Sequence, residues 1–158
     1  MDDLKENLRA FSIAKNSIRY LSGLENLVNL TFITLQSNRL TKIENLGTLI
    51  NLKELYLSQN FIEKIENLEN LKNLEILDLA YNRISKIENL ENNINLVDLW
   101  MNNNLISDLK DIEHLTKLPI LSTVYLSFTP VAKDPLYRKR IIEACKNIEY
   151  LDANLIRK

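Results

Sequence analysis

The 158-residue sequence is poor in the residues on which most catalytic and ligand-binding sites depend. It contains one histidine, one cysteine, two glycines and three prolines. A Ser–His or Cys–His nucleophile system would have to use His114, and nothing in the sequence places Cys145 beside it. Neither glycine lies in a phosphate-cradling loop, and Cys, His and carboxylate residues do not occur at metal-ligand spacings. These gaps predict a protein that is not an enzyme and that has no cofactor or metal ion.

The sequence also has little net charge and no long apolar run. The formal net charge is −1, with charged residues of both signs, so charge predicts no polyanionic partner. No apolar run reaches the length of about 18 residues that a membrane span needs, and no hydrophobic leader follows Met1. A lone cysteine cannot form an internal disulfide, which favours a reducing compartment inside the cell, in the nucleus or the cytoplasm.

What the sequence has is a repeat of 22 residues, seen in the segments 30–51, 52–73 and 74–95. This period, with the pattern L-x-x-L-x-L-x-x-N-x-I/L, is the signature of a leucine-rich repeat. Each unit is a short strand, a turn and a return segment, and it cannot bury its apolar side alone, so the units must stack into a solenoid. We predict a single domain over 1–158, with about five repeats in 1–120 and the last repeat and a helical cap in 121–158.

The pattern of apolar residues within the repeat predicts the α/β fold class and shows which segments form the concave and convex faces of the solenoid. Alternating apolar residues predict parallel strands, and apolar residues three apart predict short 3₁₀ or helical return segments. The return segments are wider than the spacing between strands, so the expected right-handed solenoid curves, with its strands on the concave face and its helical segments on the convex face. Asparagines at a constant spacing are expected to form an internal ladder that bonds the turns: Asn16, Asn38, Asn60, Asn82 and Asn104.

Several segments depart from the regular unit. Asn93 stands where the pattern requires leucine, which predicts a local adjustment of the outer segment. The fifth unit is longer, and we expect an α-helix there, capped by Ser107 or Asp108 and stopped by Pro119. Asp134 followed by proline predicts the start of a helix that covers the end of the stack. Residues 1–7 are expected to form a thin cap, or to follow further repeats in a longer protein.

The outward strand positions predict the binding surface. They change along the stack from small and polar to aromatic and acidic, and Trp100 faces outward by register. Aromatic residues are enriched at the centres of protein interfaces, and the nearby carboxylates imply a partner with basic residues. The alternative is that Trp100 only stacks on Tyr125 and Asp78 within the chain. Nucleic acid is disfavoured, because a phosphate backbone needs a lysine or arginine lining. The predicted protein-binding residues are Glu54, Tyr56, Asp78, Tyr81, Asp98, Trp100 and Tyr125.

Three stretches carry a more specific resemblance: the KIENL type of 22-residue repeat, the segment NLVDLWMNNNLISD, and LSTVYLSFTPVAKDPLYRKR followed by IEYLDA. Together they resemble the leucine-rich-repeat regulatory subunit of protein phosphatase 1. The resemblance implies that the concave face binds the phosphatase catalytic subunit. It also implies that Asp98, Trp100 and Tyr125 match the residues of that family that contact the phosphatase.

The expected function is therefore that of a non-catalytic regulatory subunit of protein phosphatase 1, a monomer by itself, which binds neither nucleic acid nor membrane. The alternative is a structural scaffold subunit of a ribonucleoprotein or a dynein-type complex, which would use the same fold to hold a protein subunit.

Overall fold

The computed structural model describes residues 7–156 and has one sheet built from a strand in every repeat. Seven strands are parallel and follow one another in chain order, and an eighth pairs antiparallel with the seventh. The strands are β1 Ala10–Ser12, β2 Phe32–Thr34, β3 Glu54–Tyr56, β4 Ile76–Asp78, β5 Asp98–Trp100, β6 Thr123–Tyr125, β7 Tyr150–Leu151 and β8 Asn154–Leu155. This is the predicted leucine-rich-repeat solenoid.

The register of the sheet follows the 22-residue period. Leu55 on β3 pairs with Ile33 on β2 and with Leu77 on β4, and all three side chains are fully buried. The apolar residues of the return segments, such as Ile65 and Leu68, complete the same continuous core. Each coil therefore buries its apolar side against its two neighbours, as the sequence pattern predicts.

The asparagine ladder is present in the interior. The side-chain Nδ2 of Asn60 donates to the carbonyls of Leu35 and Leu57, in the neighbouring coil and in its own turn, while its Oδ1 accepts from the backbone N–H of Leu40. Asn38, Asn82 and Asn104 bond in the same way. Asn16 differs, because it is exposed and its side chain bonds only carbonyls of its own turn.

A second asparagine ladder runs along the return segments and was not predicted. The asparagine of each KIENL string has a positive φ, near 60°, and its Nδ2 donates to a carbonyl of the preceding coil. Asparagine tolerates the left-handed conformation better than most residues, so one residue forms the turn and its side chain also bonds the preceding coil. These residues are Asn45, Asn67 and Asn89.

Two expectations for the return segments are wrong. The fifth unit has a 3₁₀ helix, Leu109–Lys117, rather than an α-helix, because its apolar residues recur every third position at Leu109, Ile112 and Leu115. Asp108 caps it by accepting from the N–H of Lys110. The segment around Asn93 is not adjusted, because Asn93 is fully buried in the leucine position and keeps the turn hydrogen bonds of the other units.

The C-terminal cap consists of a short 3₁₀ helix, Val131–Lys133, a helix α1 at Tyr137–Ala144, and the β7–β8 hairpin. The helix buries Tyr137 and Ile141 against the end of the stack, as predicted. It begins later than expected, since Asp134 caps the preceding turn by accepting from the N–H of Leu136. The cap predicted for 1–7 falls on residues of which all but Asn7 lie outside the described range.

Candidate functional site

The concave surface is formed by three columns of side chains that point away from the core. Each column takes one residue from every unit, in the register of the sheet. None of these positions holds lysine or arginine. The first column is Ala10, Phe32, Glu54, Ile76, Asp98 and Thr123; the second is Ser12, Thr34, Tyr56, Asp78, Trp100 and Tyr125; the third is Ala14, Gln36, Ser58, Ala80, Asn102 and Ser127.

Four aromatic side chains of this surface form a continuous ladder, which we call the aromatic ladder: Phe32, Tyr56, Trp100 and Tyr125. The ring centroids of Phe32 and Tyr56 are 5.5 Å apart, those of Tyr56 and Trp100 are 6.2 Å apart, and those of Trp100 and Tyr125 are 6.0 Å apart. Trp100 meets Tyr56 edge-on and stacks on Tyr125 with an interplanar angle of 18°. Such contacts hold the rings in fixed orientations before any partner binds.

Between β2 and β6, β4 is the strand that contributes no ring to the aromatic ladder. Asp78 lies in register between Tyr56 and Trp100 and is 4% exposed. Its two oxygens accept from the N–H of Ala80 and from Nε2 of Gln36, each at 3.0 Å. Nε2 of Gln36 also donates to the hydroxyl of Ser58 at 2.9 Å. The buried carboxylate is thus fully engaged within the chain and supports the ladder from below.

The acidic residues of the concave surface change the ionisation of Tyr56. The phenol of Tyr56 donates to Oε2 of Glu54 at 2.9 Å. The pKa of Tyr56 is raised to about 12, by partial burial first and then by the hydrogen bond and charge of Glu54 and the negative charges of Asp78 and Asp98. The negative charges of three carboxylates therefore act on the Tyr56 phenol, and the electrostatic potential of this surface favours cations.

Trp100 is half-buried and displayed on the concave side, as the register predicts. The stacking on Tyr125 that we considered as an alternative is present as well. The indole Nε1, however, is buried and has no hydrogen-bond acceptor among the described residues. A buried donor without an acceptor costs about 1–3 kcal/mol, so the ring has an unmet bond that internal packing does not explain.

The predicted site residues fall into two groups. Glu54, Tyr56, Asp78, Asp98, Trp100 and Tyr125 lie together on strands β3 to β6. Tyr81 lies apart, at the turn after β4, where it is 53% exposed and has a φ of 55°.

Sequence reasoning omitted Phe32, Gln36 and Ser58 from the site. Phe32 extends the ladder by one ring, and Gln36 and Ser58 form the polar layer beneath it. The signal for the last two was the third outward column, two residues beyond the second along each unit.

Other sites offer less for chemistry. Within 7–156 no group of three or more His, Cys, Asp and Glu residues could hold a metal ion, and no helix is long and apolar enough to cross a bilayer. Cys145 is 2% exposed, and burial raises the pKa of its thiol to about 12, so it stays protonated at neutral pH. A cavity of about 530 Å³ near Asn147 and Ile156 lies at the capped end, away from the concave surface.

The comparisons with known proteins agree with this architecture. A family model described as leucine-rich repeat matches residues 26–158. No curated protein matches the sequence significantly.

Among solved structures, a chain of the Drosophila melanogaster SNF/U2A' complex is 33% identical, with a TM-score of 0.74; the match covers 79% of the present chain and 74% of that one. A leucine-rich-repeat protein of Leptospira interrogans is 24% identical, with a TM-score of 0.81 over 92% of this chain and 37% of that one. An internalin of Listeria monocytogenes is 23% identical, with a TM-score of 0.73 over 97% of this chain, which spans about half (49%) of the internalin.

Proposed function

The chain belongs to the leucine-rich-repeat family, and on that premise we propose that it is a non-catalytic regulatory subunit that binds the catalytic subunit of protein phosphatase 1 through its concave surface. The observation that carries the proposal is the aromatic ladder, which has Glu54 and Asp98 in the column beside it and no lysine or arginine in any of the three concave columns. The compartment we propose is the nucleus or the cytoplasm.

The ladder has the composition of an interface centre. Tyrosine and tryptophan are among the residues that most often dominate binding energy. Here the contacts with Tyr56 and Tyr125 already hold the Trp100 ring in place, so binding loses little further side-chain entropy at this residue. Glu54 and Asp98 stand in the adjacent column, where they can pair with lysine or arginine side chains of a partner. Basic side chains can also lie over the ring faces as cation–π partners. The preferred partner surface is therefore basic, with apolar stems that cover the rings.

The test is binding of purified phosphatase catalytic subunit to immobilised chain, with Asp98→Ala/Trp100→Ala as the variant. We expect binding to weaken by a factor of about 100 or more, with Trp100 carrying the larger share. The matched control is Glu91→Ala/Ile94→Ala, which removes one acid and one exposed apolar side chain from the convex side. Equal binding by wild type and the concave variant would show that this surface is not the phosphatase site.

A second candidate function is a structural scaffold subunit of a ribonucleoprotein or dynein-type complex. The similarity to a chain of the SNF/U2A' complex, at 33% identity, favours it. In that case the concave surface would still hold a protein subunit, and the same variant would release it.

Affinity capture from a cell lysate separates the two candidates. Phosphatase catalytic subunit should be retained by wild type and by the convex control and lost with the concave variant. Recovery of splicing or dynein components with that same dependence, and no phosphatase, would support the scaffold.

A further inference from the structure

A second aromatic surface lies on the flank of the solenoid, in the residues that follow the asparagine ladder in the first three units. A cleft of about 280 Å³ is lined there by Arg19, Tyr20, Arg39, Thr41 and Phe61, and we call it the flank cleft. It shares no residue with the concave surface. Its composition is opposite in charge, with two guanidinium groups, two rings, a hydroxyl and no carboxylate among the lining residues.

The stacking of the coils builds this surface. The backbone N–H of Arg39 donates to the carbonyl of Ile18, and that of Phe61 donates to the carbonyl of Leu40, both at 2.8 Å. The N–H of Arg83 continues the series to Ile62. These bonds place Arg39, Phe61 and Arg83 side by side on successive coils. The guanidinium of Arg83 lies 4.7 Å from the centre of the Phe61 ring, which holds the ring at the edge of the cleft.

Within residues 7–156, Arg19, Arg39 and Arg83 form no ion pair with a carboxylate. The ion pairs among the described residues are Lys53–Glu75 and Lys139–Glu143, and both lie elsewhere. Glu63, which register places next to Thr41, is exposed and makes no ion pair with these arginines. A planar guanidinium with free donors is suited to bidentate bonds with carboxylate groups.

The two rings of the cleft are open to solvent. Tyr20 is 74% exposed and Phe61 is 39% exposed, next to the charged arginines. Exposed rings beside unpaired cations form a surface that can bury an apolar side chain and pair an adjacent acid at the same time.

We propose that the flank cleft binds an acidic peptide segment of a protein partner, in which carboxylate side chains stand next to an apolar residue. The carboxylates pair with Arg19 and Arg39, and the apolar side chain packs on Tyr20 and Phe61. This site is separate from the proposed phosphatase surface and does not depend on it. The molecule would then join two proteins, one basic and one acidic.

The alternation of charge beyond the cleft favours a peptide over a nucleic acid. The neighbouring column of lysines, Lys42, Lys64 and Lys86, is interleaved with the column Glu44, Glu66 and Glu88. A phosphate backbone would meet these carboxylates at every coil, whereas a short peptide fills only the cleft.

The test is selection of binding peptides from a displayed library of random peptides, followed by titration of the selected peptides by fluorescence anisotropy. We expect peptides that carry aspartate or glutamate beside a leucine, isoleucine or aromatic residue. The variant Arg19→Ala/Arg39→Ala should bind them about tenfold more weakly or worse, and Phe61→Ala should also weaken binding. The three side chains to be changed are exposed in the wild type, and circular dichroism checks that the variants fold.

The matched control is Arg138→Ala/Arg140→Ala, which removes the same charge from the exposed side of α1. It should stay within about twofold of wild type, since surface charges away from the contact add little. Trp100→Ala should also keep its affinity for these peptides, which separates this result from that of the phosphatase experiment.

Three outcomes would overturn the proposal. The selected peptides could lack acidic residues, or the two double-arginine variants could lose affinity equally, which would mean non-specific charge attraction. A single-stranded oligouridylate that binds more tightly than any selected peptide, through the same arginines, would assign the cleft to RNA.

Discussion

The phenol of Tyr137 donates a hydrogen bond to Oδ2 of Asp152 at 2.9 Å, and this contact ties the capping helix to the hairpin that closes the sheet. The other oxygen of the same carboxylate accepts from the backbone N–H groups of Leu126 and Ser127, at 2.8 and 2.7 Å. Burial and the negative charge of Asp152 raise the pKa of Tyr137, so the phenol remains a donor at any physiological pH. One side chain therefore fastens the helix, the last repeat and the hairpin together.

Replacing Asp152 with alanine should loosen the cap. The change removes three hydrogen bonds, and it also puts alanine at a residue whose φ is 51°, where aspartate is better tolerated. We expect the free energy of unfolding to fall by about 2–4 kcal/mol, measured by urea denaturation with circular dichroism. Asp134→Ala is the control, because that exposed carboxylate accepts a single bond, and it should cost about 1 kcal/mol or less. Equal losses for the two variants would contradict the role given to Asp152.

The asparagines of the ladder should contribute unequally to the free energy of unfolding. Asn60 is 5% exposed and bonds backbone groups of its own coil and of the preceding one, so Asn60→Ala leaves buried backbone groups unpaired and should cost about 2–4 kcal/mol. Asn16→Ala should cost less than about 1 kcal/mol, since the Asn16 side chain is exposed and bonds only its own turn. Chemical denaturation of both variants measures the difference. A similar loss at the two positions would mean that burial does not determine how much these hydrogen bonds contribute to stability.

Asn93→Leu should stabilise the protein. Asn93 is fully buried in a position that holds leucine in the two preceding units, at Leu49 and Leu71, and its Oδ1 has no partner among the described residues. Leucine restores the apolar contacts and removes the unpaired oxygen, for an expected gain of about 1–2 kcal/mol in the free energy of unfolding. Thermal and urea denaturation measure it.

Destabilisation by Asn93→Leu would contradict this prediction. The Nδ2 of Asn93 donates to the carbonyls of Leu68 and Leu71, both at 2.9 Å. Destabilisation would show that these two bonds outweigh the unpaired oxygen. Asn95→Leu serves as the control, because Asn95 is exposed and its bond to the carbonyl of Lys72 lies at the surface.

Tyr56 should titrate at unusually alkaline pH. Its pKa is raised from 10.0 to about 12, so the phenol should remain protonated where ordinary tyrosines ionise. Because the folded-state pKa lies above the unfolded one, the stabilisation it gives is complete below pH 10 and is lost as the pH rises toward 12. Ultraviolet titration of wild type against Tyr56→Phe isolates this group. Glu54→Gln should lower the pKa of Tyr56, since it removes a carboxylate that accepts from the phenol; an unchanged pKa would show that Glu54 does not contribute to the shift.

The period of the sequence was enough to predict the architecture and the sides of the solenoid. Leu55, Leu77 and Leu99 are buried and Tyr56 and Trp100 face outward because strand alternation leaves only one register that buries the leucines. The same counting identified the ladder asparagines and the six strand residues of the candidate site. That these residues bind a partner stays a prediction.

What the period did not predict depends on contacts between neighbouring coils. The burial of Asp78 follows from rings on the strands to either side of it, and the bond from Gln36 joins residues 42 positions apart. The 3₁₀ helix at Leu109–Lys117 follows a three-residue spacing that also fits the short return segments of the other units. Asn93 stayed in place because two carbonyls of the preceding coil were there to accept from it.

The β7–β8 hairpin has a consequence for how copies of the protein meet. Open parallel sheets can grow by edge-to-edge addition of another chain, which leads to polymers. Here β8, only two residues long and reversed in direction, occupies the outer edge of β7. A second molecule that approached β8 would find too few free peptide groups to continue the sheet, so the hairpin disfavours edge-to-edge addition at this edge.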